Sequence, residues 1–397
     1  FQVLWKGQPQ ADSTVTIVGP GIESKIEGTT NAAGEFRTEL PRGGLFSIRA
    51  KHTEERAGEL NQQAYKSVRS YSTLTLHYEP RQLAPTAHAF PELPKGITSF
   101  GGAVVGNAVF AYGGNYGSAH EYANEDQSGD LWKLDLQSPS QWEKIATGPK
   151  LQGLAMIEHG GKLYRIGGFT ATNKAGEKED LRSQADFARF DAATNQWVDL
   201  PKLPEGRSSH DAAVVGDTVY VVGGWNMQGA GGSTAKWHTD ALAYDLKAEK
   251  GEWKTIAAPN FERRALALAA WNGRLVCIGG MGSKGGATTD VAIFDPAKDT
   301  WLEGPALLGT AMDGFGASAF ASGDTLYATT MTGSIQRLEP DAKAWQSVGQ
   351  LAHPRFFHRV LPLPGNKLVV VGGASMETGK VLAIEILPIE TNKTAKR

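Results

Sequence analysis

Short apolar segments, each followed by a polar and glycine-rich stretch, recur about every 50 residues along positions 95–390. Alternating apolar and polar residues before and after each segment predict short β-strands joined by turns. A sixth segment, Leu326–Thr330, holds the same place without the glycines. The other five end in a glycine pair: Gly113-Gly114, Gly167-Gly168, Gly223-Gly224, Gly279-Gly280 and Gly372-Gly373.

The rest of each repeat also follows a fixed order. A variable loop leads to a strand that ends in an acid, at Asp135, Asp191, Asp245, Asp295, Glu339 and Glu385. A tryptophan follows in five of the repeats, at Trp142, Trp197, Trp253, Trp301 and Trp345. The glycine pair allows close approach of neighbouring strands, and the tryptophan supplies an apolar wedge between units. Each repeat therefore predicts one four-stranded blade that needs neighbours to bury its faces.

Over residues 86–390 these motifs resemble the kelch repeat, which implies an all-β, six-bladed kelch β-propeller. We assign it to residues 81–390, followed by a charged tail at 391–397. The sixth repeat lacks a tryptophan strand, so we expect the closing strand to come from Thr86–Pro94, with Phe90 in the tryptophan's place. Such closure removes an exposed sheet edge.

Residues 1–80 have a different pattern, with alternating strands separated by Gly, Pro and Asn turns. The stretch TTNAAGEF resembles the turn of transthyretin-like and carboxypeptidase-regulatory-like domains. The whole segment resembles a family of periplasmic Ig-like domains. This resemblance implies a small N-terminal β-sandwich and an exported protein.

Composition narrows the classes of partner. The net charge of -2 provides no basic field for nucleic acid, and no apolar run is long enough to span a membrane. The chain begins inside a strand at Phe1, so we expect that a preceding segment such as a signal peptide has been removed. Cys277 is the only cysteine and excludes an intramolecular disulfide. We expect a periplasmic or secreted monomer.

The first strand of each blade lines a propeller's central channel, so residues at its start meet at one mouth. Blades 3 and 6 both carry Arg-x-x-His there, as Arg207 with His210 and Arg355 with His358; blade 5 offers Asp313. The imidazoles are candidate metal ligands, and the arginines and Asp313 are candidate substrate ligands. Alternatively, these polar side chains bond loop carbonyls and serve the fold.

The loops after the glycine pairs add aromatic and polar candidates. Blade 1 contributes Tyr116 and Glu121 as substrate ligands and His120 as a metal ligand. Blade 3 contributes Trp225, Trp237 and His238. The alternative for the tryptophans is packing on their own blade. Three or four imidazoles at one mouth suit copper or zinc.

The Arg-x-x-His segments and Trp225 also resemble galactose oxidase, a copper radical enzyme built on a kelch-type propeller with a cysteine-linked tyrosine. This chain departs from it in having six blades instead of seven, Phe357 at the tyrosine position and Cys277 in a second strand. The leading hypothesis is copper bound by His210, His358, His238 and His120, with an oxidase-like role and a cross-link from Cys277 to Trp225 or Trp237. The alternative for Cys277 is a small buried hydrophobe.

Two other functions stay open for the chain. One is a non-enzymatic propeller that binds a glycan or a protein, since the fold serves many unrelated functions. The other is a sugar mutarotase, because that enzyme type also occurs on a six-bladed kelch propeller. It needs an acid/base such as Glu121 or Asp313 with an arginine such as Arg207 or Arg355. We expect a small-molecule or glycan ligand.

Overall fold

The computed structural model describes residues 1–20, 22, 24–38, 40, 43–78, 83–87, 90–229, 234–248 and 251–389. The chain divides into two compact units, residues 1–81 and 82–397. The predicted tail at 391–397 and the predicted boundary near residue 80 lie outside the described residues. Within those described, no helix has the length and apolarity to cross a membrane.

The first unit contains a four-stranded antiparallel sheet in the order Ile26–Thr29, Thr14–Val18, Gly44–Glu54 and Val68–Tyr78. Alternate residues of its strands point to one face and form a core with Val15, Ile17, Phe36, Phe46 and Ile48. Two short ribbons pair Leu4–Trp5 with Gln8–Pro9 and Gly58–Leu60 with Gln63–Tyr65. The Ig-like sandwich stays a prediction, since the described residues of this unit form one larger sheet and two ribbons.

The second unit contains six four-stranded antiparallel sheets, here called blades 1 to 6 in chain order. Blade 1 consists of Gly101–Val105, Ala108–Tyr112, Asp130–Asp135 and Glu143–Thr147. Blade 2 consists of Ala155–His159, Lys162–Ile166, Phe187–Asp191 and Gln196–Asp199. Blade 3 consists of Asp211–Val215, Thr218–Val222, Ala241–Asp245 and Lys254–Ile256.

The remaining blades follow the same order of strands. Blade 4 consists of Ala267–Trp271, Arg274–Ile278, Val291–Asp295 and Thr300–Gly304. Blade 5 consists of Ser318–Ser322, Thr325–Thr329, Ser334–Leu338 and Trp345–Gln350. Blade 6 consists of Arg359–Leu363, Lys367–Val371, Glu385–Pro388 and Thr86–Ala87.

The first strand of every blade neighbours the first strand of the next, and that of blade 6 neighbours that of blade 1. The six inner strands therefore form a closed ring around a central channel, and the predicted β-propeller is confirmed. Blade 6 takes its fourth strand from Thr86–Ala87, which pairs with Glu385 and Ile386. Phe90 packs beside Trp142 between blades 6 and 1, while residues 88–89 lie outside the described part.

Short ribbons lie in the loops at one end of the channel, together with two 3-10 helices, Asn124–Asp126 and Ala311–Gly314. One sheet joins Phe169–Ala171, Leu181–Ser183 and Gln228–Gly229; another joins Arg263–Arg264, Met281–Gly282 and Gly286–Ala287. Two ribbons pair Trp225–Asn226 with Lys236–Trp237 and Ala374–Ser375 with Gly379–Lys380.

The tryptophans and glycines of the repeat hold adjacent blades together. Trp253 donates its Nε1–H to the Pro201 carbonyl of blade 2 at 2.9 Å, and Trp345 reaches Pro305 of blade 4 at 2.8 Å. Gly223 has a φ of 72°, and a Cβ there would lie 2.5 Å from the Arg263 carbonyl oxygen of blade 4. Only glycine fits such a contact in that backbone conformation. The repeat pattern is therefore a pattern of contacts between blades.

Candidate functional site

Six residues surround the channel at its mouth, one near the start of each inner strand. All six have a positive φ, between 52° and 61°. We call them the collar: Ser99, Gly153, Ser209, Ala265, Gly316 and Phe357. Backbone hydrogen bonds of 2.7 to 3.0 Å run from each collar residue after Ser99 to the preceding one. The space at the collar is about 50 Å³, enough for one or two waters. A larger ligand must therefore bind above it.

In five blades the residue just before the collar residue pairs with the chain after the glycine pair, as in Ser208 with Trp225 and Gln152 with Phe169; Phe315 holds this position in blade 5, which has no glycine pair. These residues form the floor of the mouth: Thr98, Gln152, Ser208, Arg264, Phe315 and Phe356. The floor is polar on blades 1 to 3, cationic on blade 4 and aromatic on blades 5 and 6.

Arg264 is the cation of the floor. Its guanidinium lies 4.2 Å from the ring centre of Trp225 and 5.9 Å from that of Trp237, and it donates to the Met281 sulfur at 3.1 Å. Its buried Nε has no acceptor, and it forms no salt bridge within the described residues. Burial lowers its pKa below the ordinary value, although Tyr122 partly offsets that shift. A half-buried arginine without a carboxylate partner is a candidate anion site.

Aromatic side chains form the walls beside Arg264. The rings of Trp225 and Trp237 meet edge-on at 5.5 Å across their ribbon, and the buried Nε1 of Trp225 has no acceptor among the described residues. Tyr122 meets Phe169 edge-on at 5.9 Å. Burial raises the pKa of Tyr122, so its hydroxyl stays protonated at neutral pH. The group combines a cation with apolar ring faces, which suits an anionic ligand that also has apolar surface.

Arg207 and Arg355 are not at the open mouth, although the sequence predicts them as substrate ligands. They are 1% and 0% exposed. Arg207 donates to the carbonyl of Gly223 at 3.2 Å and pairs with Asp240, whereas Arg355 donates to Gly372 at 3.1 Å and pairs with Glu385 at 2.5 Å. Their donors join the loops of their own blades, as the structural alternative expected.

The histidines predicted as copper ligands do not form a metal site within the described residues, although His210 and His358 both line the space at the collar. His210 packs against Gly167 of blade 2, and burial with the nearby Arg207 cation holds its pKa well below the ordinary value. His358 bonds Thr329 at 2.6 Å, and burial lowers its pKa to about 3. His238 bonds the Gly206 carbonyl at 3.1 Å and lies 3.4 Å from Asp240; His120 is exposed on the blade 1 loop.

No three His, Cys, Asp or Glu side chains come together as a metal site in the part of the chain that the structure describes. Cys277 is buried between blades 3 and 4, and burial raises the pKa of its thiol to about 11. Trp225 packs in a different cluster, with Phe169 and Met227. The geometry therefore gives no support to a Cys277–Trp225 or Cys277–Trp237 cross-link, and Cys277 behaves as the small buried hydrophobe of the alternative.

Of the other predicted ligands, Asp313 is bonded within blade 5, whereas Tyr116 and Glu121 lie on the blade 1 loop. Asp313 accepts bonds from the backbone of Thr310 at 2.9 Å, from Thr330 at 2.8 Å and from Thr332. Burial alone would raise the pKa of Asp313, but these bonds lower it overall, so the carboxylate stabilises the blade 5 loop. Tyr116 donates to Ser128 at 2.9 Å, and Lys95 lies over its ring at 4.1 Å. Glu121 is exposed next to Tyr122.

Sequence reasoning missed Arg264 and Tyr122. The available signal was the register of the repeat: Arg264 stands where blades 2 and 3 have Gln152 and Ser208, just before the collar. The start of blade 4 carries the Arg263–Arg264 pair and no imidazole, so it does not share the Arg-x-x-His pattern of blades 3 and 6.

Fold and site together define a kelch-type propeller whose mouth presents a cation between aromatic walls. The chain belongs to the kelch-repeat family, since residues 103–333 match the KLHDC2/KLHL20/DRC7 Kelch-repeats domain.

Relatives and a solved structure agree with this assignment. N-acetylneuraminate epimerase of Haemophilus influenzae (strain PittEE) is 33% identical over 183 residues, 45% of this chain and 43% of that protein. N-acetylneuraminate epimerase of Pasteurella multocida (strain Pm70) is 31% identical over 195 residues, 46% and 45%. The chain thus spans less than half the length of these relatives. The solved structure of YjhT has a TM-score of 0.61 at 19% identity, over 77% of this chain and 98% of that one, and shows the shared fold.

These findings overturn the copper oxidase hypothesis. The relatives are named for a sugar epimerase, and no three His, Cys, Asp or Glu side chains form a metal site within the described residues. They favour the alternative of a sugar mutarotase.

Proposed function

We propose that this protein interconverts the two anomers of N-acetylneuraminate, or of a closely related acidic sugar, at the propeller mouth. The observation that carries the proposal is Arg264, a half-buried cation that forms no salt bridge to a carboxylate within the described residues. The names of two relatives support the substrate class.

Binding of the sugar starts from its carboxylate. A guanidinium bonds a carboxylate through two parallel N–H groups, and such charge-assisted bonds strengthen in a partly buried site. The ring faces of Trp225 and Trp237 cover the apolar C–H surfaces of a sugar. The anomeric carbon of N-acetylneuraminate carries the carboxylate, so Arg264 holds the reacting carbon beside these walls.

Anomer exchange requires one proton to leave and one to arrive. A base takes the proton of the anomeric hydroxyl while an acid protonates the ring oxygen, and the bond between the ring oxygen and the anomeric carbon breaks to give the open ketone. Rotation and the reverse transfers close the ring on the other face. The protonated hydroxyl of Tyr122 suits the acid, and Glu121, one residue earlier on the same loop, is the candidate base.

The test follows exchange between the α and β anomers of N-acetylneuraminate by NMR. We expect the chain to accelerate exchange above the buffer rate. Arg264→Met keeps an unbranched apolar stem but removes the guanidinium group, and we expect kcat/KM to fall about 100-fold, since a charged hydrogen-bonded pair is worth about 3 kcal/mol. Arg274→Met is the matched control, because Arg274 lies in blade 4 at the opposite end of the strands and is 42% exposed.

Unchanged exchange in Arg264→Met would show that Arg264 is not the anchor. No acceleration by the unaltered chain would refute the epimerase proposal. In that case, retained binding of the sugar would favour the non-enzymatic glycan-binding alternative.

A further inference from the structure

Phe357 differs from the other five collar residues, which are serine, glycine or alanine. Its φ of 53° lies in the left-handed region, which a bulky side chain rarely adopts. The neighbouring collar residue accommodates it: a Cβ on Gly316 would lie 2.9 Å from the Phe357 ring. Because small residues build the same turn in five blades, formation of the collar does not require this phenylalanine.

The Phe357 ring belongs to an aromatic group on blades 5 and 6. It lies 5.0 Å from the ring of Phe315 and 5.1 Å from that of Phe356, and the latter two rings are 6.2 Å apart. All three side chains are partly exposed. We call them the aromatic floor. It is an apolar patch at the mouth, next to the blade that carries Arg264.

We propose that the aromatic floor binds the methyl group of the sugar's N-acyl substituent and thereby selects N-acylated acidic sugars; this proposal rests on the proposed function. The carboxyl and acylamino groups of N-acetylneuraminate stand on opposite carbons of its six-membered ring. A sugar anchored on Arg264 by its carboxylate therefore directs its acyl group across the mouth. On blade 1 the equivalent Thr98 is polar, and on blades 2 and 3 the equivalent Gln152 and Ser208 are 1% and 0% exposed. The exposed apolar surface for the methyl group therefore lies on blades 5 and 6.

The test compares two sugars, N-acetylneuraminate and its analogue with a hydroxyl in place of the acetamido group. Calorimetry gives Kd, and NMR exchange gives kcat and KM. Phe357→Ser introduces the residue present at two other collar positions, so we expect the variant to fold. We expect its Kd for N-acetylneuraminate to rise about tenfold, with little change for the hydroxyl analogue. The control is Phe320→Ser, which removes a phenylalanine lining the channel below the collar and is expected to leave the ratio of the two Kd values unchanged.

An equal rise in Kd for both sugars, or no rise for either, would overturn the role of the aromatic floor even if the chain is an active epimerase. If Phe357→Ser loses the preference for N-acetylneuraminate over the hydroxyl analogue, but the unaltered protein does not exchange anomers, the role of the aromatic floor would be supported and the epimerase proposal refuted. If Phe357→Ser does not fold, Phe315→Ser on the neighbouring blade carries the same comparison.

Discussion

Arginines at the blade starts divide into two groups according to what surrounds their guanidinium groups. Arg207, Arg263 and Arg355 each donate to the carbonyl of the first glycine of their own blade's glycine pair, at 3.2, 2.9 and 3.1 Å. Their Nη1 groups are bonded to these carbonyls, and they hold the loops in place. Arg264 lies one residue beyond Arg263 and stacks on Trp225. It keeps donors free for a ligand.

Tyr122 allows a test of the proposed proton transfer. Tyr122→Phe removes only the hydroxyl and keeps the ring contact with Phe169. Loss of a general acid typically costs 10² to 10⁴ in rate, so we expect kcat for anomer exchange to fall about 100-fold with KM nearly unchanged. Tyr116→Phe, which removes a hydroxyl bonded to Ser128 on the same loop, is the control. A rise in KM with unchanged kcat would instead show that Tyr122 contributes to binding of the sugar and not to proton transfer.

At the scale of single blades, the residue that follows each collar residue packs where neighbouring blades meet. Leu154 and Leu266 occupy this position in blades 2 and 4, and His210 occupies it in blade 3. The buried His210 is neutral because burial and the Arg207 cation hold its pKa well below the ordinary value of 6.5. Below about pH 6.5 the unfolded chain binds a proton here that the folded chain does not, so stability falls as the solution is acidified.

His210→Leu therefore removes part of the acid sensitivity. We expect the variant to lose about 2 kcal/mol less unfolding free energy than the unaltered protein between pH 7 and pH 4.5, because leucine has no proton to bind. Denaturant unfolding at both pH values measures this difference. The control is His120→Asn, which changes an exposed loop histidine to a residue that tolerates its positive φ. Equal acid sensitivity of His210→Leu and the unaltered chain would mean that His210 is not kept neutral by the fold.

The elements were predictable because the repeat places strict chemical demands on single residues. A glycine pair at φ near 72° and 89° next to the following blade admits no Cβ, and a tryptophan must bridge two blades. These contacts recur in each blade, so their residues repeat at a regular spacing in the sequence. The site residues do not repeat, because the site forms from Tyr122 of blade 1, Trp225 and Trp237 of blade 3 and Arg264 of blade 4. Loops of unequal length bring these residues together, and only the folded ring defines their distances.

At the scale of the whole propeller, one side chain links the ring across its axis. Arg359 of blade 6 donates to the Phe100 carbonyl of blade 1 at 3.2 Å and to the Leu154 carbonyl of blade 2 at 3.2 Å. It also pairs with Asp211 of blade 3 at 2.9 Å, and Asp211 accepts the backbone N–H of Leu268 in blade 4 at 3.0 Å. The pair thus joins five of the six blades directly.

This pair predicts a cooperative loss of stability when one partner is removed. Arg359→Leu leaves the Asp211 carboxylate, 9% exposed, without its cation, and we expect the unfolding free energy to fall by about 3 kcal/mol. Tryptophan fluorescence in denaturant reports on the propeller, since only Trp5 lies in the first unit. Arg274→Leu, an exposed arginine of blade 4, should cost less than about 1 kcal/mol.

The double variant Arg359→Leu with Asp211→Leu separates the ion pair from the other bonds of Arg359. Removing both charges leaves no unpaired carboxylate, so we expect the double variant to be less destabilised than the sum of the two single variants. The recovery should be incomplete, because the carbonyls of Phe100 and Leu154 and the N–H of Leu268 then lack their partners. Strictly additive losses would show that the charges do not interact across the axis, and the propeller would then be closed by its sheet pairing and blade packing alone.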